Sequence, residues 1–359
     1  MKTTKEAGEL KDKKILLRVD FDVPISKKGQ IVEEFRIKSQ KQTIDYLLDN
    51  GAKVVMVSHI SATSSFRYLV SRLEGIIGRK IKFIENIEDL KKYEFSESLT
   101  LLDNIRRYKG EEENDPKLAL DMANGFDLYV NNAFAVCHRN HASVSAITTF
   151  LKSYAGFLIE EEVDALKKSI DAPSGGKVII MGGAKASTKI PVIKNFVGKA
   201  EKILVAGVIA NDILKERGGD VLDSVTDFNS KELLAGLNIH DPCLILPEDF
   251  NIFERKFLDV GPKTLENFTD IINKAKMVIW NGPLGIYEDP RFSKGTDSIA
   301  RAIANSAAFK IVGGGDSAAA IDKLGILDKF NFVSTGGGAM LEFLAGNRLP
   351  GLEVLGYYD

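Results

Sequence analysis

The feature that most constrains this chain is a repeated change of hydrophobic period. Short, unbroken apolar runs alternate with longer segments of helical spacing. "KILLRV" (14–19), "KVVMV" (53–57), "LTLL" (99–102) and "DLYVN" (127–131) fall in the first half. "KVIIM" (177–181), "KILVA" (202–206), "MVIW" (277–280), "KIV" (310–312) and "NFVS" (331–334) fall in the second. A strand that is apolar at every position is covered on both faces, which is the condition of a parallel sheet. Segments such as 37–49, 116–124, 190–200 and 296–308 carry helical spacing between the runs. Strand and helix in alternation predict a doubly wound α/β fold.

At 359 residues the chain is long for one core, and two domains are expected. The boundary is sought between about 150 and 176. There "FLIEEEVDALKKSI" reads as a long charged helix, and "DAPSGGK" supplies turn residues before a new strand. Residues 212–262 are weakly patterned and receive no assignment. Net charge is -2, so the bulk charge gives no reason to expect nucleic acid or an anionic membrane as partner. The arginines are uneven: eight of thirteen lie in the first 150 residues. Cys137 and Cys243 stand far apart, which suggests neither a disulfide framework nor a zinc knuckle and fits a reducing cytosol. The polar N-terminus does not read as a signal peptide, and no apolar run approaches the roughly 20 residues that span a bilayer. A soluble, cytoplasmic protein is expected.

Three Gly-rich segments follow strands in the second half: "MGGAKASTK" (181–189), "VGGGDSAAA" (312–320) and "STGGGAMLEF" (334–343). A strand end that opens a helix offers free N–H groups and a positive dipole end, and glycine lets a phosphate come close. One such turn is equally a packing device; three point to a phosphate-bearing ligand. Walker A is absent. Residues 313–318, "GGGDSA", satisfy the dinucleotide pattern G-x-G-x-x-G/A, but the next strand ends in Val333-Ser334-Thr335, with no acidic ribose ligand. Asp316 in the first helical turn would repel a bare pyrophosphate and suits Mg²⁺, although a simple helix cap is the bland alternative. A Mg-nucleotide is thus favoured over NAD. "WNGPLGIYE" (280–288) reads as a turn after a strand, with Asn281 and Glu288 as possible nucleotide contacts or a structural turn beside a buried Trp. In the first half, "NNAFAVCHRNHASV" (131–144) crowds His138, Arg139 and His141 behind a strand. A metal site, a nucleic-acid patch, a catalytic dyad and an anion pocket are all open at this point.

The motifs, taken in order, resemble the phosphoglycerate kinase family from about residue 14 to the C-terminus. They are "LLRVDFDVPI", "EEFRIKSQKQTI", "VMVSHI", "LLDNIRRYKGEEEND", "YVNNAFAVCHRNHASV", "YAGFLIEEE", "MGGAKASTKI", "DVGPKT", "WNGPLGIYE", "GGGDSAAA" and "STGGGAMLEFLAGNRLPGL". The resemblance implies two Rossmann-like α/β domains, each a mostly parallel sheet covered by helices, joined by a long interdomain helix. It implies a 3-phosphoglycerate domain over 1–152, the helix over 153–172, a nucleotide domain over 173–340, and a C-terminal segment, 341–359, returning to the first domain. The implied reaction is reversible phosphoryl transfer between 1,3-bisphosphoglycerate and ADP, giving 3-phosphoglycerate and MgATP, in line and after domain closure. Mg²⁺ and ATP or ADP are the implied cofactor and nucleotide, and a monomer is expected.

Position by position, the resemblance casts Arg36 as the catalytic arginine and Lys189 as the lysine that follows the transferred phosphate. Asp20, Asp22, His59, Arg106 and Arg139 would hold the acid, with His138 and His141 beside them. Gly183, Ala184, Lys185, Gly207, Asn281, Pro283, Glu288, Gly314, Gly315 and Ser317 would contact the nucleotide, and Asp316 the metal. Helix N-termini near Ser317 and Gly337 would stabilise phosphoryl oxygens in the transition state. Under this reading the stretch 131–144 becomes an anion pocket. The chain departs from the family where "SHLGRP" becomes "SHISAT": Ala62 stands in place of an arginine, and Arg67 is a nearby candidate substitute. Asp22 replaces the usual Asn of "RVDFNVP", Asn132 the usual Asp, and "AGVIA" (206–210) the usual "GGGMA". These departures leave two alternatives: a nucleotide-binding homologue with a weakened acid site, or another acyl phosphate as substrate.

Overall fold

The structure is a computed structural model that describes residues 1–359. Its Cα framework divides into two compact units, residues 1–164 with 348–359, and residues 165–347.

The first unit holds a six-stranded sheet. Its strands are β1 (Lys14–Arg18), β2 (Lys53–Val57), β3 (Lys82–Ile84), β4 (Leu99–Leu102), β5 (Leu128–Asn131) and β6 (Lys152–Ala155). They pair in the order β3-β4-β2-β1-β5-β6, parallel throughout. Alternate residues feed two cores. Ile15, Leu17, Val54 and Met56 pack on one face, and Leu16, Val55, Val57 and Leu102 on the other. Burial on both faces explains why these strands are unbroken apolar runs. The edge strands β3 and β6 are partly exposed and carry Lys82 and Lys152, so they lack that signature. The long helix accordingly starts at Phe157, after β6, and runs to Asp171. The tail is tied into this unit: the Gly351 N–H donates to the Cys137 carbonyl at 2.8 Å, and the Met1 ammonium donates to the Gly356 carbonyl at 2.8 Å.

The second unit holds another parallel sheet. It comprises β7 (Lys177–Met181), β8 (Lys202–Val205), β9 (Leu244–Ile245), β12 (Met277–Asn281), β13 (Phe309–Gly313) and β14 (Phe332–Ser334), in the order β14-β13-β12-β7-β8-β9. Between β9 and β12 lies an antiparallel hairpin of β10 (Phe250–Phe253) and β11 (Lys256–Val260). The helices Ala186–Phe196, Gly207–Glu216, Gly315–Lys323 and Gly338–Leu344 each begin at or just beyond the carboxyl end of a strand. The segment 212–262 is thus built from the end of one helix, a short helix Ser230–Leu234, a two-residue strand and the exposed hairpin. None is long enough to show a period.

Candidate active site

In the first unit, β1 lies between β2 and β5, and the chain leaves β1 to one side before crossing to the other. A crevice forms at such a switch, beyond the carboxyl ends of the strands. Asp20 and Asp22 follow β1, His59 follows β2, Arg106 lies in the single turn Ile105–Arg107 after β4, and Arg139 follows β5. Arg36 sits in the short helix Phe35–Lys38, whose first turn is braced by the Arg36 N–H on the Glu33 carboxylate at 3.0 Å.

The side chains are wired to one another. Arg36 Nε lies 3.5 Å from the buried Asp20 carboxylate, and its NH1 donates to the Asp22 carbonyl. Asp22 Oδ1 accepts the Ser61 N–H at 2.6 Å. Its Oδ2 accepts the Ser61 hydroxyl at 3.1 Å and lies 3.3 Å from His59 Nε2. Arg18, 1% exposed, donates through NH2 to His59 Nδ1 at 3.2 Å and through Nε to Ser143 Oγ at 2.9 Å. Ser143 in turn donates to the fully buried Glu111 carboxylate at 2.6 Å.

These bonds fix the protonation states. Arg18 cannot accept, so His59 Nδ1 is the acceptor and Nε2 carries the proton toward Asp22. Burial, helped by the charges of Arg18 and Arg106, holds His59 below its ordinary value against the pull of Asp22. The contact is therefore a neutral ring donating to a carboxylate. Burial alone would raise the Asp22 carboxyl; the bonds from His59 and Ser61 outweigh it and hold the group well below the carboxylate range. Burial and then the neighbouring Arg139 charge press on Arg106. A guanidinium still stays charged. Two crowded cations gain from an anion placed between them.

The structure places three further residues that the sequence singled out. Arg67 does not replace the arginine missing at position 62, because its guanidinium pairs with Glu85 at 2.6 Å and lies over Phe83. Asn132 is fully buried, with its amide donating to Gln40 and its oxygen accepting from Thr43, which makes it a core residue. His141 faces Glu111 at 3.8 Å, on the buried side of the network.

In the second unit the switch falls between β7 and β12. Here the backbone itself converges. A Cβ on Gly182 would sit 2.2 Å from the Pro283 carbonyl oxygen, and one on Gly207 2.7 Å from the Gly183 oxygen. Gly282 (φ +90°) and Gly314 (φ +95°) hold left-handed backbone that other residues rarely adopt. Ser317 Oγ accepts the Gly282 N–H at 2.8 Å, Trp280 Nε1 donates to the Gly282 carbonyl at 2.8 Å, and Asn281 Nδ2 donates to the Gly313 carbonyl at 2.9 Å. Trp280, Asn281 and Ser317 thereby hold the turn that forms the site.

Two adjoining cavities result. The smaller, about 200 Å³, is lined by Lys185, Lys189, Asn281, Gly314, Asp316, Ser317 and Gly337 among the expected residues, with Thr188, Gly282, Gly338 and Leu341 added. The larger, about 370 Å³, takes in Gly183, Ala184, Gly207, Pro283 and Glu288, and shares Asp316. Gly315 lines neither. Sequence reading missed the apolar wall of the larger cavity, Val208, Val225, Phe257, Leu258 and Tyr287, much of which comes from the unpatterned segment. Lys189 is 8% exposed, and its ammonium makes no hydrogen bond or ion pair within the fold. Burial, with the Lys185 charge and against the pull of Asp316, lowers its pKa below the usual lysine value. A buried cation beside glycine backbone, one exposed carboxylate and an apolar chamber suit a phosphate chain, a divalent cation and a flat ring system respectively.

Comparison with known proteins agrees with this geometry. The sequence model of the phosphoglycerate kinase family matches residues 5–347. The chain belongs to the phosphoglycerate kinase family. It is 40% identical to the phosphoglycerate kinase of Dictyoglomus turgidum, over 97% of this chain and 96% of that one. It is 37% identical to that of Helicobacter hepaticus, over 99% and 97%. Among solved structures it is similar to the phosphoglycerate kinase of Pyrococcus horikoshii, with a TM-score of 0.89 at 29% identity, covering 99% of this chain and 98% of that one. The Coxiella burnetii phosphoglycerate kinase gives 0.84 at 31% identity, with the same coverage. The chain is an enzyme, a phosphotransferase of the phosphoglycerate kinase type. No helix is long and apolar enough to cross a membrane.

Proposed function

We propose that the first unit holds 3-phosphoglycerate, the second holds ATP or ADP, and Arg36 and Lys189 carry the phosphoryl group between them. The observation behind this is that each unit presents cations of its own kind beyond the carboxyl ends of its strands. Asp20 and the Asp22 carbonyl orient Arg36, leaving its other N–H groups for the transferring oxygens. A planar, pre-oriented guanidinium matches equatorial phosphoryl oxygens in a reaction that needs positioning and charge more than covalent help. Arg106 and Arg139 bind the acid's carboxylate and phosphate, His59 braces Asp22 from beneath, and Asp20 and Asp22 orient the cations. Lys189 meets the γ-phosphate and Lys185 the phosphate chain. Gly183, Ala184, Gly207, Pro283 and Glu288 border the nucleoside, and Asn281, Gly314, Gly315 and Ser317 shape the turn beneath the phosphates. Gly337 leaves backbone N–H groups open at the small cavity.

Asp316 is the residue that would hold Mg²⁺. No group of three or more His, Cys, Asp or Glu side chains that could hold a metal ion gathers anywhere, so Asp316 would act as a single protein ligand. One carboxylate fits this ion, which takes its remaining ligands from phosphates and water and would neutralise charge on the phosphate chain. Each chain carries both half-sites, so we read it as a monomer, acting in the cytoplasm. Because the ligands sit on different units, closure that brings them together and sheds water is part of the proposal.

The test is a coupled assay. With 3-phosphoglycerate and MgATP, turnover should depend on Mg²⁺, and Arg36→Ala and Lys189→Ala should each lower kcat by about a thousandfold with thermal unfolding unchanged. Near-normal rates in either variant would contradict these roles. Nucleotide binding without turnover or 3-phosphoglycerate binding would favour a homologue that has lost its acid site.

A further inference from the structure

We propose that Asp22 and Ser61 form a paired replacement for the arginine absent at position 62, and that they do so by fixing Arg106 as a binding cation for the acid. The inference rests on the acid-site reading above. The sequence loses charge here twice: Ala62 supplies no cation, and Asp22 adds a carboxylate. Left alone, both changes would weaken an anion site.

The geometry shows where the carboxylate goes. Three donors converge on Asp22: the Ser61 N–H at 2.6 Å, the Ser61 hydroxyl at 3.1 Å, and His59 Nε2 at 3.3 Å. His59 must donate, because its other nitrogen is taken by Arg18 at 3.2 Å. An acceptor-only group is therefore required. An asparagine would turn its NH₂ toward one of these donors and break that contact.

Ser61 completes the arrangement. Its hydroxyl donates to Asp22 and accepts from Arg106 NH1 at 3.1 Å. Of the short side chains, a hydroxyl can do both at once. The corresponding position in "SHLGRP" is the glycine, which has no side chain to do either. Arg106 is thus held by Ser61 at one nitrogen and lies 3.5 Å from Glu112 at Nε. Its NH2 is buried and has no hydrogen-bond partner in the fold. A buried, uncompensated guanidinium nitrogen beside Arg139 is what an anionic ligand satisfies. Asp22 and Ser61 act here as positioning residues; Arg106 makes the contact.

Steady-state kinetics on the full chain test this. Ser61 is exposed, so Ser61→Gly leaves the fold intact. It should raise KM for 3-phosphoglycerate roughly tenfold, the worth of one charge-assisted hydrogen bond, with kcat and KM for ATP within about twofold. Asp22→Asn should do the same, and the double variant should be no worse than the poorer single, because both break one linkage. Ala62→Arg placed on Ser61→Gly should restore KM. An unchanged acid KM in Ser61→Gly, multiplying losses in the double variant, or parallel rises in both KM values would overturn the inference. Wild-type protein that turns over no 3-phosphoglycerate would overturn the acid-site reading itself, and this inference with it.

Discussion

The two candidate half-sites are built in different ways. In the first unit the proposed acid site is built from side chains: Arg36, Arg106 and Arg139, each steered by a neighbour such as Asp20, Ser61 or His138. In the second, Lys185 and Lys189 stand beside a backbone turn packed so closely that a single Cβ on Gly182 would overlap a carbonyl oxygen at 2.2 Å. Carboxylates follow the same division. Three donors hold Asp22 below the usual range, whereas burial pushes Asp259, beneath the turn at Gly285, up to about 6. A side-chain site can lose a member and be rewired, as Ala62 and Ser61 illustrate. A backbone site has no such slack, because its geometry is the chain path itself.

That contrast can be broken at several points. The largest effect should come from Gly182→Ala, which forces β7 and the 282–283 turn apart. We expect about 3 kcal/mol or more of lost stability by urea unfolding, with nucleotide affinity lost alongside. Arg139→Ala should cost about 2 kcal/mol of acid binding, read as a rise of some thirtyfold in KM for 3-phosphoglycerate, and leave KM for ATP unchanged. Equal effects on both would make Arg139 structural.

Asp259→Asn gives a smaller, pH-dependent effect. The folded value of Asp259, about 6, lies above the ordinary 3.8. Its favourable contribution is then fully present below about pH 4 and is lost as pH rises through 6. The variant keeps the oxygen that accepts the Gly295 N–H at 2.7 Å. Its stability relative to wild type should rise between pH 4 and 6.5, by about 1 to 2 kcal/mol, and then level off. A difference that does not vary with pH would show that Asp259 is ionised in the fold like any surface aspartate. Smallest of all, Arg67→Ala should alter the acid KM by less than about twofold, since its partner is the exposed Glu85.

The interior of each sheet was legible from sequence because strands covered on both faces carry no polar interruptions. β2, β4 and β7 fall on their apolar runs residue for residue. The edge strands β3 and β6 were not, since one face meets water and lysines enter, and β9 was not because it is only two residues long. Glycine-rich turns were legible because close backbone approach leaves a mark in residue type. The apolar wall of the larger cavity was not, because Val225, Phe257 and Leu258 come from short pieces without period. Arg67 misled because closeness in sequence says nothing of direction; Phe83 and Glu85 draw it away. The link from Asp22 through Ser61 to Arg106 joins three loops, and only their meeting in space reveals it.

We propose that steered arginine side chains of the first unit hold the acid, and that the glycine turns of the second, with Lys185 and Lys189, hold the nucleotide. Crossed titration calorimetry addresses it directly, with 3-phosphoglycerate and MgADP each titrated into Arg139→Ala and Gly314→Ala. Gly314 holds φ +95° with Asn281 Nδ2 3.0 Å from where a Cβ would stand, so alanine there disturbs the turn locally. The expected result is a clean exchange: Arg139→Ala loses affinity for the acid alone, and Gly314→Ala for the nucleotide alone. Loss of both ligands in either variant, or of neither in both, would contradict the account.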